Sequence, residues 1–298
     1  MANKLMSVYL KHYKKLIIIP SIILVLSIFI IGMKISSDGD FIYKDISLKG
    51  GVALTIIAEG IDLSSVEGAV SNEFLPYRVS VRSIKGAGAN KGVLIESDIE
   101  DLDQDRLEKV LSAISAATGK SITKNDYSLE VMGSSLGNSF FTQMIRAMVV
   151  AFIFMGIVVF ITFRTFVPSI AVILCAFSDI VVTIAVLDFM KIPIGTGGIA
   201  ALLMLIGYSI DENIMLTTNL LKRKTPSVEE PLLSSFRTGM TMVLTTLTVS
   251  GVALLLSESE IIKEIMLVVF IGLISDILFT WLQNAGLLLW HVTKKNDN

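Results

Sequence analysis

The chain has 298 residues, of which 53% are hydrophobic and 17% are charged, and its mean hydropathy is +0.72. These values exclude an ordinary soluble globular protein and are typical of a polytopic membrane protein. The net charge of -2 is uninformative about nucleic-acid binding, and no basic cluster is large enough to suggest it. A single cysteine, Cys175, excludes an intrachain disulfide.

The first predicted element is an apolar stretch from Leu16 to Met33, which follows several lysines: Lys4, Lys11, Lys14 and Lys15. A cleaved signal peptide is the alternative interpretation. However, the stretch is long for the apolar core of a signal peptide, and no clear cleavage site follows it. We therefore expect residues 1–33 to form a cytoplasmic N-terminus and an uncleaved first transmembrane helix.

Residues 34–141 are polar and are predicted to form one domain on the outer side of the membrane. Their pattern predicts the order βαββαβ, at residues 46–58, 63–73, 78–84, 93–97, 104–117 and 127–131. This order is that of a ferredoxin-like α+β domain, a fold that supports many functions. The insert contains no His, no Cys and no group of catalytic residues, so we predict no metal site there.

Residues 142–298 contain five more stretches long enough, at 1.5 Å per residue, to cross about 30 Å of hydrocarbon. These stretches lie approximately at residues 142–163, 167–187, 197–220, 238–257 and 263–291. The sequence therefore predicts a polytopic α-helical membrane protein with six transmembrane helices and one ferredoxin-like outer domain.

Positive charges predict the orientation of the six spans in the cytoplasmic membrane. One side carries most of them, including Lys14, Arg164, Arg223, Lys224 and Lys294, whereas only Lys191 and Lys263 lie in the short loops opposite. Because lysine and arginine accumulate in cytoplasmic loops, both termini are expected to be cytoplasmic.

Three predicted spans carry an acidic residue near mid-membrane. Asp179 and Asp211 lie about 18 Å and about 15 Å from the inner ends of their spans, and Asp276 lies about 20 Å from the outer end of its span. Glu212 follows Asp211 directly. A charge at the bilayer centre costs about 2.5–3.5 kcal/mol, so such residues usually serve a pathway or a buried contact. We expect the three aspartates to face a common interior.

No lysine or arginine lies within these spans, so the acids must be protonated, hydrated or paired with another chain. Acids in these states can form an ion relay that carries H⁺ or Na⁺. The alternative is that they are protonated structural residues that join helices by hydrogen bonds. Asp276 has several polar groups nearby in sequence that could satisfy it locally: Ser275, Thr280 and Asn284.

A polar stripe runs along the fifth predicted span. Its members lie on one helical face: Thr238, Thr241, Thr245 and Thr248. Small hydroxylated residues let membrane helices approach closely and form hydrogen bonds across their interface. We interpret the stripe as a helix interface, and a hydrated lining opposite the acids is the alternative.

Two segments of the chain match known motifs: Asp45-Ile46-Ser47-Leu48-Lys49-Gly50-Gly51 and Ile206-Gly207-Tyr208-Ser209-Ile210-Asp211-Glu212. The first resembles the Asp-Phe-x-Gly-Gly motif, and the second resembles the Ile-Gly-Tyr-Ser-x-Asn-Asp motif, of the SecD/SecF family of protein-export subunits. Leu136-Gly137 through Arg164, Arg237-Thr238 and Thr245-Thr246 are also similar to family segments. The resemblance covers most of the chain.

The chain departs from the bacterial pattern at two places. Asp211 stands where bacterial members usually have Asn, and Asp276 with Thr280-Trp281-Leu282-Gln283-Asn284-Ala285-Gly286 resembles the archaeal branch of SecF. The resemblance therefore points to the archaeal type.

The resemblance implies half of a transporter of the RND superfamily, which pairs with SecD, another six-span chain, near the Sec translocon channel. It implies that the outer domains contact the emerging preprotein and that ion flow through the bundle drives them. It assigns Asp179 to an acidic position associated with proton transport, and Asp211 with Glu212 to the polar pair of the fourth span. Membrane lipid is the other partner, and no cofactor is implied.

Two other functions are compatible with parts of the sequence. An RND exporter of lipids or small molecules uses the same six-span module, but usually as a tandem pair with two large outer domains. An intramembrane aspartyl protease would need two acids that activate water. The Gly-x-Gly-Asp signature of such proteases is missing, because Asp276 follows Leu273-Ile274-Ser275. We therefore predict that the protein is not an enzyme.

Overall fold

The computed structural model describes residues 2–57, 63–71, 73–74, 77, 79–86, 89–99, 102–119, 121–124, 126–222, 228–257 and 259–296. The predicted elements of the outer domain include Ala58, Asn72 and Arg78, which lie outside these ranges, as do the predicted cytoplasmic residues Arg223 and Lys224.

Helices make up most of the described chain. In chain order the elements are α1 (Ala2–Leu16), α2 (Ile18–Asp38), α3 (Ile46–Lys49), β1 (Gly51–Ile57), α4 (Leu63–Ser71), β2 (Val79–Gly86), β3 (Ala89–Ser97), α5 (Gln104–Thr118), β4 (Tyr127–Met132), α6 (Ser134–Phe163), α7 (Phe166–Phe189), α8 (Thr196–Lys222), α9 (Glu229–Leu256), α10 (Glu260–Leu278), a π-helix (Phe279–Asn284) and α11 (Ala285–Asn296).

The described residues include six helical segments that are long and apolar enough to cross a membrane. Their bounds are Tyr9–Asp38, Ser134–Phe163, Phe166–Phe189, Thr196–Leu221, Glu229–Leu256 and Glu260–Lys294. The prediction of a six-span membrane protein is therefore confirmed. Several helices extend beyond the predicted spans, because the apolar pattern marks only the hydrophobic part of a longer helix.

The chain divides into two compact units. We call residues 1–43, 146–254 and 261–298 the helical bundle, and residues 44–145 and 255–260 the sheet domain. Within the bundle, α7 is the most buried span, because 67% of the residues in its most apolar stretch are buried, compared with 11% for α6. Side chains of α7 are therefore in the best position to build an interior site.

The sheet domain contains, among its described residues, an antiparallel sheet of four strands in the order β2-β3-β1-β4. This order, with α4 after β1 and α5 after β3, confirms the ferredoxin-like prediction. Leu54 of β1 pairs with Ile95 of β3 and with Leu129 of β4. The core beneath the sheet contains Leu54 and Ile95 together with apolar residues of both helices: Val66, Val70, Val110 and Ile114.

The predicted first strand is wrong at its beginning, because residues 46–49 form the short helix α3 instead. The carboxylate of Asp45 accepts a hydrogen bond from the Ile46 N–H at 2.7 Å, which stabilises the start of this turn. Burial raises the pKa of Asp45, although the bond from the Ile46 N–H partly opposes that rise.

Gly50 and Gly51 lie between α3 and β1 in the chain, and Gly50 also packs against the start of α6. Gly50 has φ 87°, and a Cβ atom there would overlap the backbone of Ser134. Conversely, a Cβ atom at Gly137 would lie 3.0 Å from the Gly50 nitrogen. Gly51 has φ 130°, and a Cβ atom would overlap the carbonyl of Ser97. The Gly-Gly pair therefore permits close backbone contacts that no other residue type would allow.

Candidate functional site

Buried carboxyl groups from three bundle helices lie next to one another. Asp179 of α7 is 0% exposed, Asp276 of α10 is 1% exposed, and Glu212 of α8 is 3% exposed. The carboxyl group of Asp276 neighbours those of both other residues. We call Asp179, Glu212 and Asp276 the carboxyl cluster.

Each member of the carboxyl cluster accepts one hydrogen bond from a neutral side chain. Ser209 Oγ donates to Asp179 Oδ2 at 2.6 Å, and Thr280 Oγ1 donates to Asp276 Oδ1 at 3.0 Å. Trp281 Nε1 donates to Glu212 Oε1 at 3.0 Å. No ion pair joins the cluster to a lysine or arginine in the part of the chain that the structure describes.

A layer of neutral polar groups lies beside the cluster and is centred on Asn213. Its Nδ2 donates to the Ser209 carbonyl at 2.7 Å and lies 3.3 Å from Cys175 Sγ. Its Oδ1 accepts from Asn284 Nδ2, and Thr280 Oγ1 lies 3.4 Å from the same oxygen. This network connects α7, α8 and the π-helix around the acids.

Helical spacing explains how α8 supplies its share of the site. Glu212 and Asn213 follow Ser209 by three and four residues, so the three side chains lie on one face of α8. α9 approaches that face closely at Gly239, where a Cβ atom would overlap Glu212 and lie 2.8 Å from Trp281 Cζ2. The absence of a side chain at Gly239 therefore leaves room for the Glu212 carboxyl group.

The π-helix places further polar side chains in the same layer. Phe279, Thr280, Trp281, Gln283 and Asn284 are all buried. One extra residue in the turn shifts the side chains relative to an ordinary α-helix, and such turns are frequent at functional sites. Thr280 and Trp281, which are adjacent in sequence, thereby contact two different carboxyl groups of the cluster.

Asp211 does not join the carboxyl cluster, which corrects the expectation that Asp179, Asp211 and Asp276 face one interior. The Asp211 side chain is exposed on the surface of the bundle, whereas Glu212 is buried. Successive residues of an α-helix point about 100° apart, so a rotation of α8 that buries Ser209, Glu212 and Asn213 turns Asp211 away from the interior. The role of these acids in an ion relay remains a prediction.

The threonine stripe of α9 is also exposed on this chain. Its hydroxyl groups donate to backbone carbonyls of the same helix, as in Thr241 to Arg237 at 2.8 Å and Thr248 to Leu244 at 2.8 Å. The stripe therefore forms no interface with another described helix of this chain.

Sequence reasoning missed several members of the site, chiefly Ser209, Asn213 and Trp281. Ser209 and Asn213 had a usable signal, because they lie three residues before and one residue after Glu212 on a single helical face. Trp281 gave no such signal, since its position depends on the π-helix.

The fold and the site together define a class: a polytopic membrane protein whose helices enclose a carboxyl cluster and which carries a ferredoxin-like domain. The family described as "Protein export membrane protein SecD/SecF, C-terminal" matches residues 111–294. SecF of Methanolacinia petrolearia is 36% identical to the chain over 94% of each sequence. SecF of Pyrococcus furiosus is 37% identical, over 95% of this chain and 92% of the relative. The chain belongs to the SecF family of protein-export membrane subunits.

A solved structure has the same fold. SecDF from Thermus thermophilus, a translocon-associated membrane protein, superposes with a TM-score of 0.76 and 18% sequence identity. The match covers 97% of this chain and 38% of the SecDF chain. A second SecDF structure, in a form described as super-membrane-facing, gives a TM-score of 0.59. The chain thus spans well under half of the length of SecDF.

Proposed function

We propose that the chain is one half of an ion-driven export machine and pairs with SecD in the cytoplasmic membrane. In this proposal both termini are cytoplasmic, and the sheet domain contacts the preprotein outside the membrane, beside the Sec translocon channel. An H⁺ or Na⁺ gradient supplies the energy. In SecDF this fold occupies 38% of a longer chain, which supports the proposal that the chain works together with a second polypeptide.

The observation that carries the pairing is the contrast between two exposed bundle surfaces. On α6, the exposed side chains between Val149 and Ile161 are apolar, as a lipid-facing surface requires. On α8, the exposed positions include Asp211 and Tyr208, and on the adjacent α9 they include the threonine stripe. Because a carboxylate in lipid costs about 2.5–3.5 kcal/mol, the surface around Asp211 favours a protein partner.

The carboxyl cluster supports ion coupling in the proposed complex. Asp179, Glu212 and Asp276 would carry the ion within this chain, and Asp211 would connect their path to the partner. One elementary charge that crosses 100 mV releases about 2.3 kcal/mol, so a few ions per cycle could drive a domain movement.

The glycine contacts near Asp45 support a mechanical role for the motif at residues 45–51 in the proposed outer domain. Gly50 and Gly137 bring α3 into close contact with the start of α6, and Gly51 brings β1 against β3. In the proposal, a movement of the start of α6 is thereby passed to the sheet that contacts the preprotein.

The test is export of a preprotein into membrane vesicles that contain the Sec channel and SecD, with either the wild-type chain or Glu212→Gln. We expect wild-type export to fall when ionophores collapse the H⁺ and Na⁺ gradients. We expect Glu212→Gln to export at the collapsed-gradient rate with or without a gradient. Wild-type export that is indifferent to the gradient would refute ion coupling, and export that is indifferent to the whole chain would refute the proposed function.

A lipid or small-molecule exporter of the RND superfamily is the alternative. Such an exporter would also need a gradient, but preprotein export would not depend on the presence of the chain. The vesicle assay therefore separates the two functions directly.

A further inference from the structure

Three lysines of helix α1 share one exposed face. Lys11, Lys14 and Lys15 have the i, i+3, i+4 spacing of a single helical face, and all three are exposed. We call these three residues the basic face. No ion pair joins them to a carboxylate in the part of the chain that the structure describes, and the sequence contains no acidic residue before Asp38. Like charges at this spacing destabilise a helix, so an anionic ligand would stabilise α1.

The opposite face of α1 is fixed to the helical bundle. Tyr9 Oη donates to the Trp281 carbonyl at 2.7 Å, and Tyr13 Oη lies 3.2 Å from Thr293 Oγ1. An apolar cluster formed by α8, α9, the π-helix and α11 packs against both tyrosines. These contacts set the rotation of α1, and they turn the basic face away from the bundle.

The basic face lies at the edge of the hydrocarbon region of the membrane. Helix α2 follows α1 after a single residue, and its 21 residues extend about 31 Å at 1.5 Å each, enough to cross a hydrocarbon core of about 30 Å. The first turns of α2 expose apolar side chains, at Ile18, Ile19 and Ile22. Lys14 and Lys15 therefore lie about one helical turn outside the hydrocarbon, in the layer that lipid headgroups occupy.

A second helix marks the same level of the membrane. Trp290 of α11 is exposed, and Lys294 Nζ lies 5.4 Å from the centre of its ring. Tryptophan and lysine are typical of the ends of transmembrane helices, where the indole lies among the headgroups. Because Thr293 contacts Tyr13, this end of α11 and helix α1 meet at the headgroup layer.

We propose that the basic face binds the anionic headgroups of phospholipids. Lysine binds phosphate groups as a point charge, and each lysine near an anionic membrane surface strengthens binding by about fivefold. A lipid suits this surface better than a nucleic acid does, because its acyl chains can pack on Ile18 and Ile22 while its headgroup contacts Lys14 and Lys15. The inference does not depend on the proposed function, since lipid binding can be measured without export.

The test titrates the purified full-length chain, in a nonionic detergent, with phosphatidylglycerol or with phosphatidylcholine of the same acyl chains. Native mass spectrometry counts the bound lipids. We expect the wild-type chain to bind phosphatidylglycerol more tightly than phosphatidylcholine by more than about tenfold. Equal binding of the two lipids would overturn the proposal, and this comparison does not depend on how any variant folds.

A pair of double variants tests where the lipid binds. Lys14→Gln with Lys15→Gln should weaken phosphatidylglycerol binding by about 25-fold, at about fivefold for each lysine, and leave phosphatidylcholine binding unchanged. Lys109→Gln with Lys124→Gln removes the same charge from exposed positions of the sheet domain, so binding should change by less than about twofold. Equal losses in the two double variants would show that net charge acts, rather than the basic face. Lys14→Arg with Lys15→Arg keeps both charges and should keep the preference.

Two competitors distinguish a lipid from other anions. Inorganic phosphate should not displace phosphatidylglycerol, because a free anion makes no contact with the apolar start of α2. Displacement by phosphate would show that the basic face binds anions without regard to lipid. Double-stranded RNA that bound to the basic face more tightly than phosphatidylglycerol would likewise contradict the proposal.

Discussion

Individual side chains of the carboxyl cluster depend on neutral donors for their placement. Ser209, Thr280 and Trp281 each donate to a different acid, and the acids come from three different helices. Each donor therefore fixes the position of a carboxyl group relative to another helix. A hydrogen bond between membrane helices contributes on the order of 0.6 kcal/mol and up to about 1.7 kcal/mol.

Removal of the indole donor should loosen Glu212. We expect Trp281→Phe to lower the free energy of unfolding by about 1–3 kcal/mol, because Glu212 Oε1 loses its donor while an aromatic ring remains. Trp290→Phe is the matched control, since Trp290 is 41% exposed, and it should change stability by less than about 0.5 kcal/mol. Equal effects of the two variants in a denaturant titration would contradict the structural role of this bond.

A second prediction concerns the pKa of Asp126 in the sheet domain. The Thr123 hydroxyl donates to Asp126 Oδ2 at 2.5 Å and lowers the pKa of that carboxyl group. A lowered folded-state pKa stabilises the fold above the unfolded pKa, and that contribution is lost as the pH falls through the folded pKa. In Thr123→Val the pKa of Asp126 should rise, as measured by an NMR titration of its side chain. An unchanged titration curve would show that the hydroxyl does not hold the carboxylate.

Whole elements are positioned by a few contacts at their ends. Helix α8 begins beside Glu264 of α10, whose Oε1 accepts from the N–H groups of Gly195 at 2.5 Å and Gly198 at 2.9 Å. The first N–H groups of a helix lack intrahelical partners, and the helix dipole favours a negative charge there. A single side chain thus fixes the start of the helix that carries Ser209 and Glu212.

We expect Glu264→Ala to lower the free energy of unfolding by about 0.5–2 kcal/mol, the usual cost of losing a helix cap. Glu264→Gln keeps an acceptor oxygen but loses the charge, so its cost should be smaller. Thermal unfolding of the two purified variants checks the order. A larger loss in Glu264→Gln than in Glu264→Ala would contradict the capping role.

The start of the sheet domain offers a matched pair of glycine substitutions. Gly50→Ala should destabilise the domain by about 1–3 kcal/mol, because Gly50 has a positive φ and packs against Ser134. Gly68→Ala should instead stabilise it by about 0.5–1 kcal/mol, because Gly68 lies in helix α4 with open space around it. Hydrogen exchange of β1 amides in the full-length chain measures both effects. Stabilisation by Gly50→Ala would show that the close approach is not required.

The sequence predicted the elements of the fold that depend on repeated patterns. Apolar stretches located the spans, and alternation located strands such as β2, because burial in lipid or against a core acts on every residue of the element. Helix α3 was missed because a turn of four residues has no period. It depends on Asp45 and Gly50, which act singly.

The site was only partly predictable for a related reason. Asp179, Glu212 and Asp276 were identified because acids are rare in apolar spans. Whether Asp211 or Glu212 faces the interior depends on the rotation of α8. Contacts with Trp281 and Gly239 accompany the buried orientation of Glu212, and these contacts come from distant parts of the chain.

At the scale of the whole molecule, the two kinds of bundle surface must have different surroundings. The apolar surface of α6 suits lipid, whereas Asp211, Tyr208 and the threonine stripe suit another protein. In the proposed function, SecD occupies this second surface, and the relationship to SecF subunits supports that proposal.

The most direct test places a photo-crosslinking residue at Tyr208 of the tagged chain, and at Phe154 of α6 as a control, in native membranes. Products are purified and identified by mass spectrometry. We predict that position 208 captures SecD and that position 154, which is 64% exposed in the chain, captures lipid only. The proposed pairing would be contradicted if position 208 captured no protein, or captured only lipid or a second copy of the chain.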